Sequence, residues 1–566
     1  MKVTIAYISI VALVLLASYA ALSIALDVYD SWVDYENKYL ETIITKVERV
    51  TVHGEPLAKH VVFILLDGIT VDVLIDLANR SEVVSKFVNS GAFYPNGLAN
   101  MPTYSIPARA SILTGAPPEI NEVSSNYFNR KVRIDSLVRV AKQFNYTILC
   151  IGDSSFENLF RDLIDENISV GEGANHGAIS LTSGYNLVKN RVEQGKKVFA
   201  WIGVADVDMI GHEAGAYSKE YNFTIINTVA LTLEFIEKLS KEPLTKDTLV
   251  VVLSDHGFKR GGHHGGPEPE VKRVFLLLIG PVAKPGIYGI PFDHNDIAPT
   301  VSMIMGWSIP AISIGAPISN GLNIPLSRVD AYTRASQDQG LRVVRALSEA
   351  TGISLDLRGN VKEVYRRLTA ALERASIELR SALSIAVGAT IVALSVALIV
   401  LGLGRGRIRN IKVKSVVAIL VGLAAYELLF WALYKVNGGP FSLSDIYSFE
   451  DFISKILISS ISTSLLIGLA LGIVELTTLR RGFIRSLVMC SSIVALAALL
   501  GLIYPLIFHA EYGLFVRFPF PDWNSGVLFF LSLVKTSFTG LIGVPLTLAI
   551  VLLLSLLGFV IRRFSR

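Results

Sequence analysis

With 566 residues, 51% of them hydrophobic, and a mean hydropathy of +0.51, the chain is too apolar for an ordinary soluble protein, and the excess sits in one N-terminal run and the last third. A net charge of +4 over that length gives nucleic-acid binding no electrostatic footprint, so no nucleic-acid partner is expected. The two cysteines, Cys150 and Cys490, lie in dissimilar regions, Cys490 inside an apolar run, which excludes a disulfide-dependent fold.

Residues 4–26 are apolar throughout. They exceed the ~7–15-residue core of a signal peptide and reach the ~20 residues of a bilayer span, so they read as a membrane anchor. From His60 to about residue 325, short β-branched runs alternate with helix-length segments. The runs 61–66, 147–151, 198–204, 248–253 and 274–279 read as buried strands bounded by turn residues. The pattern predicts an α/β domain whose mostly parallel sheet lies between helix layers.

Asp67, Asp208 and Asp255 each follow such a run, and ligands bind at the carboxyl edge of an open parallel sheet. A lone strand-end Asp is usually a turn former or helix cap. Here Asp67, Asp208 and Asp255 join Ser105 in Pro102-Thr-Tyr-Ser105-Ile-Pro107, His212 in Asp208-Met-Ile-Gly-His212, His256 in Asp255-His256-Gly257, and the pair His263-His264. Carboxylates, imidazoles and a hydroxyl are ligand types that a borderline-soft metal accepts, and this set suffices for two ions around one nucleophile. Asp206 and Glu213 read as solvated surface acids, and His60 as structural.

Residues 329–380 carry Val343, Val344, Leu347, Val364 and Leu368 at helical spacings and read as an amphipathic connector. Five further apolar runs follow, at residues 382–403, 415–434, 457–474, 487–508 and 541–561. The stretch 527–540 is apolar but short, and Lys535 interrupts it, so it reads as an interfacial or re-entrant piece. Glu427 lies mid-span, where a carboxylate marks either function or a polar partner in the bundle. The expected organisation is an anchor at 1–29, a catalytic domain at 30–328, a connector at 329–380 and an all-α membrane domain of five spans at 381–566.

Arg405, Arg407, Arg409, Lys412 and Lys414 fill one short loop; Arg480, Arg481 and Arg485 fill another, and Arg562, Arg563 and Arg566 close the chain. The positive-inside bias predicts a multi-pass protein of the cell membrane with both termini cytoplasmic and residues ~30–380 outside. The sequons at Asn79, Asn145, Asn167 and Asn222 all fall in that outer segment and predict a glycoprotein.

The four motifs resemble those of the alkaline phosphatase superfamily, and within it those of nucleotide pyrophosphatase/phosphodiesterases and glycosylphosphatidylinositol ethanolamine-phosphate transferases. The resemblance covers residues ~55–325. It implies an alkaline-phosphatase-like sandwich holding two Zn2+ ions, with Mn2+ or another divalent cation as the alternative. Asp67, Asp255 and His256 would bind one ion together with Ser105; Asp208, His212 and His264 would bind the other. Ser105 would be the nucleophile that becomes covalently phosphorylated, with Thr103 as its rival. His264 matches the family's His-Gly, leaving His263 to support it. Asn126 matches an Asn that holds a phosphate oxygen.

The segment from Ser105 to Arg109, followed by Leu113-Thr114-Gly115, also resembles the sulfatase signature, in which Ser is oxidised to formylglycine. Sulfatases use one metal and a paired Asp-Asp, whereas Asp67 here meets Gly68. The transferases share the order of one span, an outer catalytic domain and several spans. The expected protein is therefore a membrane-embedded two-zinc phosphodiesterase or phosphotransferase, with the bilayer and a lipid-linked phosphodiester as partners. The alternatives are a sulfatase and a non-catalytic receptor or structural protein on the same fold.

Overall fold

The structure, a computed structural model, describes residues 2–171, 173, 175–242, 246–372, 374, 413–478, 483–512, 518–520 and 522–564. The chain divides into two compact units, Trp32–Leu372 and the remainder, Met1–Ser31 with Glu373–Arg566.

The first of these is built on a nine-stranded sheet. Its strands are β1 (His60–Leu66), β2 (Ala92–Leu98), β3 (Tyr146–Ile151), β4 (Glu166–Ile168), β5 (Lys197–Val204), β6 (Thr248–Leu253), β7 (Arg273–Ile279), β8 (Gly286–Ile287) and β9 (Phe292–Asp293). They run in the order β4-β3-β5-β1-β6-β7-β2-β8, with β9 also on β2. All five expected strands form. The sheet is mixed, since β7 runs antiparallel to both β6 and β2 while the other pairs are parallel. β2 escapes a sequence reading because Pro95 and Gly97 interrupt it, and its register shifts between Tyr94 and Gly97.

Along β1, Val61, Phe63 and Leu65 enter one core cluster while Val62, Ile64 and Leu66 enter a second. The strand is buried on both faces because helices cover both sides of the sheet. Strands β1, β3, β5 and β6 are mutually parallel, so their carboxyl ends share one edge. Asp67, Asp153, Asp206 and Asp255 lie within two residues of those ends.

The helix Leu326–Thr351 and residues 361–372 are part of this unit. Val343, Val344, Leu347, Val364 and Leu368 sit in the first core cluster beside Leu40, Ile43 and Val47. The Val50 amide donates to Gln339 Oε1 at 2.6 Å, and Gln339 Nε2 donates to the Glu48 carbonyl at 3.3 Å. The 329–372 part of the expected connector is therefore integral to this unit, because its apolar face is buried there.

Among the described residues of the other unit and its junction, four helical stretches are long and apolar enough to cross a membrane: Val11–Val33, Ile419–Val436, Phe449–Ala470 and Trp523–Gly558. The first belongs to the helix Lys2–Val33 and runs further than the expected 4–26. Expected span 382–403 lies outside the described residues. Expected span 487–508 is divided between the helices Phe483–Leu500 and Ile503–Tyr512.

Residues 527–540 are not a separate short piece. The helix Trp523–Phe538 passes through a π-helical turn, Thr539–Gly543, into Val544–Phe564. Lys535 is accommodated because its Nζ lies 2.5 Å from Glu427 Oε2 and 4.8 and 5.0 Å from the ring centres of Phe430 and Trp431. The two charges that look misplaced in sequence neutralise each other.

Candidate active site

Ser105 opens the helix Ser105–Thr114 after Tyr104 in extended conformation. Its Oγ lies 3.1 Å from His256 Nε2. The Ile106 amide, in the first turn, donates to Asn126 Oδ1 at 3.0 Å. Asn126 therefore spends its carbonyl oxygen on the start of this helix. Thr103 is fully buried and already committed: its hydroxyl donates to the Gly266 carbonyl at 2.9 Å and accepts from the Gly265 amide at 3.0 Å.

Backbone carbonyls select the imidazole tautomers. His256 Nδ1 faces the Gly257 carbonyl at 3.2 Å and His264 Nδ1 faces the Thr103 carbonyl at 3.0 Å. Each Nδ1 therefore carries the proton, and each Nε2 presents a lone pair to the site. The two rings stack with centres 3.6 Å apart. His264 Nε2 lies 3.2 Å from His212 Nε2 and 3.6 Å from Asp208 Oδ1, and His212 Nε2 lies 3.5 Å from Asp208 Oδ2. His263 is set behind His212, Nδ1 to Nδ1 at 2.6 Å.

Gly68 makes this convergence sterically feasible. Its φ is +72°, and a Cβ there would fall 2.9 Å from Asp208 Cα and 2.7 Å from the Phe258 ring. Strand β1 and the helix Asp206–Ala214 that follows β5 can thus bring Asp67 and Asp208 to one place.

Arg109 lies one turn into the helix Ser105–Thr114 and points inward. Its Nη2 donates to Asp67 Oδ2 at 2.8 Å, its Nη1 to Asp255 Oδ2 at 3.0 Å and its Nε to Asp153 Oδ2 at 2.7 Å. Trp201 Nε1 donates to the same Asp153 oxygen at 2.8 Å. Burial alone would raise the pKa of Asp67, but Arg109 and His256 hold it below the usual carboxylate range. Burial, with His263 adding to it, lowers His212 to about 4, and burial likewise lowers His256 to about 4; His264 is also pushed down. All three imidazoles are thus neutral near pH 7, the form that ligates a metal.

The structure brings all seven sequence candidates into this cluster. Two overlapping donor sets stand out, Asp67–Asp255–His256 and Asp208–His256–His264, each with its ligand atoms within 4.8 Å of one another. Asp67 Oδ1 is buried, accepts no hydrogen bond, and faces His256 Nε2 at 3.4 Å. A buried carboxylate oxygen beside an imidazole lone pair calls for a cation. The mixed nitrogen and oxygen donors suit a divalent ion of borderline softness.

Two residues near the site depart from the sequence reading. Asp206 is no solvated acid, for its Oδ2 accepts from the Gly177 amide at 2.6 Å. Asp153 goes unnoticed in sequence, although it follows strand β3 as Asp67 follows β1. That shared position is the signal that could have found it.

Residues 61–147 match the family described as type I phosphodiesterase / nucleotide pyrophosphatase. Over that segment the chain is similar to type I phosphodiesterases and nucleotide pyrophosphatases, and the two donor sets could each hold a metal ion. It is also distantly similar to GPI ethanolamine phosphate transferases. It is 26% identical over 305 residues to GPI ethanolamine phosphate transferase 2 of Saccharomyces cerevisiae, covering 46% of this chain and 36% of that one. Against the human catalytic subunit of the same name it is 26% identical over 275 residues, covering 46% and 28%. The matched region thus spans about a third of the length of these relatives.

Among solved structures, an alkaline phosphatase superfamily protein from Vibrio parahaemolyticus aligns with a TM-score of 0.41 at 13% identity, over 58% of this chain and 95% of that one. A lipoteichoic acid synthase from Listeria monocytogenes aligns with a TM-score of 0.37 at 15% identity, over 56% and 100%.

Proposed function

We propose that the chain is a membrane-embedded, two-zinc phosphodiesterase or phosphotransferase that acts on lipid-linked phosphodiesters through a covalent adduct on Ser105. The observation that carries this reading is the position of Ser105 Oγ, 3.1 Å from His256, the residue shared by the two donor sets. Asp67, Asp255, His256 and Ser105 would hold one ion, and Asp208, His212 and His264 the other. Bound there, the pair of cations would supply ionisation of the nucleophile, a clamp on a phosphoryl oxygen and neutralisation of the leaving oxygen.

The chain's own groups account for the rest. Ser105 Oγ bonds to phosphorus as the bond to the leaving alkoxide breaks, and the alkoxide departs as its alcohol. Water or an acceptor alcohol then attacks the same phosphorus and restores the serine. The Asn126 amide holds a non-bridging oxygen. A neutral donor suits the single charge of a diester, and Arg109, buried and bound through each of its three nitrogens to a carboxylate, is committed to the site's own acids.

The candidate spans and the lipid-linked substrates named for the relatives support a substrate at the membrane. The finer arrangement we read is six spans with both termini cytoplasmic and the catalytic unit extracytoplasmic. Asn79, Asn145 and Asn167 are exposed, which would leave them open to glycosylation on that side. The second donor set, around Asp208, favours phosphoryl transfer over the sulfatase alternative.

The test is acid quenching of the detergent-solubilised protein during turnover of a panel of mono- and diesters, with and without phospholipid, followed by mass spectrometry of the Ser105 peptide. A phosphoryl adduct and at least a tenfold preference for diesters in kcat/KM, ~1.4 kcal/mol, are expected. A formylglycine at position 105, or turnover with an unmodified serine and a monoester preference, defeats the reading.

A further inference from the structure

Asp153 belongs to neither donor set, yet it anchors the group that organises one of them. Its Oδ2 receives both Arg109 Nε, at 2.7 Å, and Trp201 Nε1, at 2.8 Å, while its Oδ1 caps the next helix by accepting from the Phe156 amide at 2.9 Å. The carboxylate is 2% exposed and held at both oxygens. A guanidinium is planar, so fixing Nε fixes the directions of Nη1 and Nη2 as well. Those two atoms hold Asp255 Oδ2 and Asp67 Oδ2 at 3.0 and 2.8 Å. In that orientation Asp67 Oδ1 and Asp255 Oδ2 lie 3.4 and 3.7 Å from His256 Nε2.

We propose that Asp153 is a positioning residue for the metal site formed by Asp67, Asp255 and His256. Through Arg109 it sets the orientation of the two carboxylates, and Trp201 keeps Asp153 itself from turning away. The predicted effect is selective. The Arg109 and Asp153 contacts given above go to Asp67, Asp255, Trp201 and Phe156, so the loss of Asp153 falls first on the Asp67–Asp255 side, and His256 is the one ligand that the two donor sets share.

Because this role presupposes the two-metal reading, the full-length protein in detergent is stripped with a chelator and titrated first as wild type. Zn2+ competition against a fluorescent chelator gives the affinities, and Co2+ absorption reports each site's coordination. Fewer than two ions on the wild type sinks the two-metal reading itself. With two ions on the wild type, Asp153→Asn is expected to weaken one site by about 10–100-fold, the usual cost of losing an outer partner of a metal ligand, while the other keeps its affinity and spectrum. Two wild-type affinities in Asp153→Asn, or equal loss at both sites, overturns the role.

Should Asp153→Asn not fold, Trp201→Phe removes only the second donor to Asp153 Oδ2. It is expected to weaken the same site by about threefold or more, a smaller effect than loss of the carboxylate. An unchanged titration of Trp201→Phe then counts against the inference.

Discussion

Glu119 offers a test of the structure that does not depend on catalysis. Its Oε2 is buried without a hydrogen-bond partner, close to Tyr35, whose hydroxyl donates to the Glu119 carbonyl at 3.0 Å. Burial raises the carboxyl from its ordinary 4.5 to about 7. Between those values the folded protein holds a proton that the unfolded chain has released, so stability falls as pH rises through the window and is constant on either side. At ~1.4 kcal/mol per pH unit, the interval from 4.5 to about 7 corresponds to about 3 kcal/mol.

Glu119→Gln removes the ionisation while keeping the shape. The Tm difference between variant and wild type should therefore be small near pH 4.5 and should grow to about 5 °C in favour of the variant by pH 8. Differential scanning fluorimetry of both proteins in the same detergent, at half-unit pH steps, measures it. A Tm difference that stays flat with pH, or that grows in favour of wild type as pH rises, refutes the reasoning, because either result means the carboxylate is solvated or paired in the folded state.

Three further outcomes are expected. Ser105→Ala should abolish turnover and the covalent adduct yet retain both metal ions by elemental analysis, since the carboxylates and imidazoles remain; Thr103→Ser, whose hydroxyl bonds survive, should stay active. Arg109→Leu should lower stability by about 3–5 kcal/mol, because it leaves three buried carboxylates without their shared cation, and chemical denaturation will show it. A rise in KM alone would instead make Arg109 a substrate-binding group. Glu427→Ala should cost a similar ~3–5 kcal/mol by stranding buried Lys535, and Glu427→Ala with Lys535→Leu should recover most of it, read as Tm in one detergent.

Much of the site is legible in the sequence because it is a property of strand ends. Leu66-Asp67-Gly68 and Leu253-Ser-Asp255 announce a strand, its stop and an acid, and β-branched runs announce parallel neighbours. What is not legible depends on side chains meeting across long separations. Asp153 matters only because Arg109 reaches it from 44 residues away. Lys535 looks like a break in an apolar run until Glu427, 108 residues earlier, is found beside it. The reversed direction of β7 is equally hidden, since a buried strand reads the same parallel or antiparallel. Asn126 shows the intermediate case: motif position singles out the residue, but only the bond from Ile106 shows which end of the amide the helix start takes.

The contact of the helix Leu326–Thr351 with residues 40–50 bears on how the unit can be cut. Gln339 bonds to Val50 and Glu48, and Leu40, Ile43 and Val47 share a cluster with Val343 and Val344, so the first and last segments of Trp32–Leu372 close on each other. A recombinant fragment ending near residue 328 would strip the partners from Leu40, Ile43 and Val47 and expose a sticky apolar strip that invites aggregation. Fraying at either terminus would likewise loosen the other, so the two ends open as one cooperative element. A soluble version of this unit should therefore keep both clasped ends, with its boundaries placed at Trp32 and Leu372.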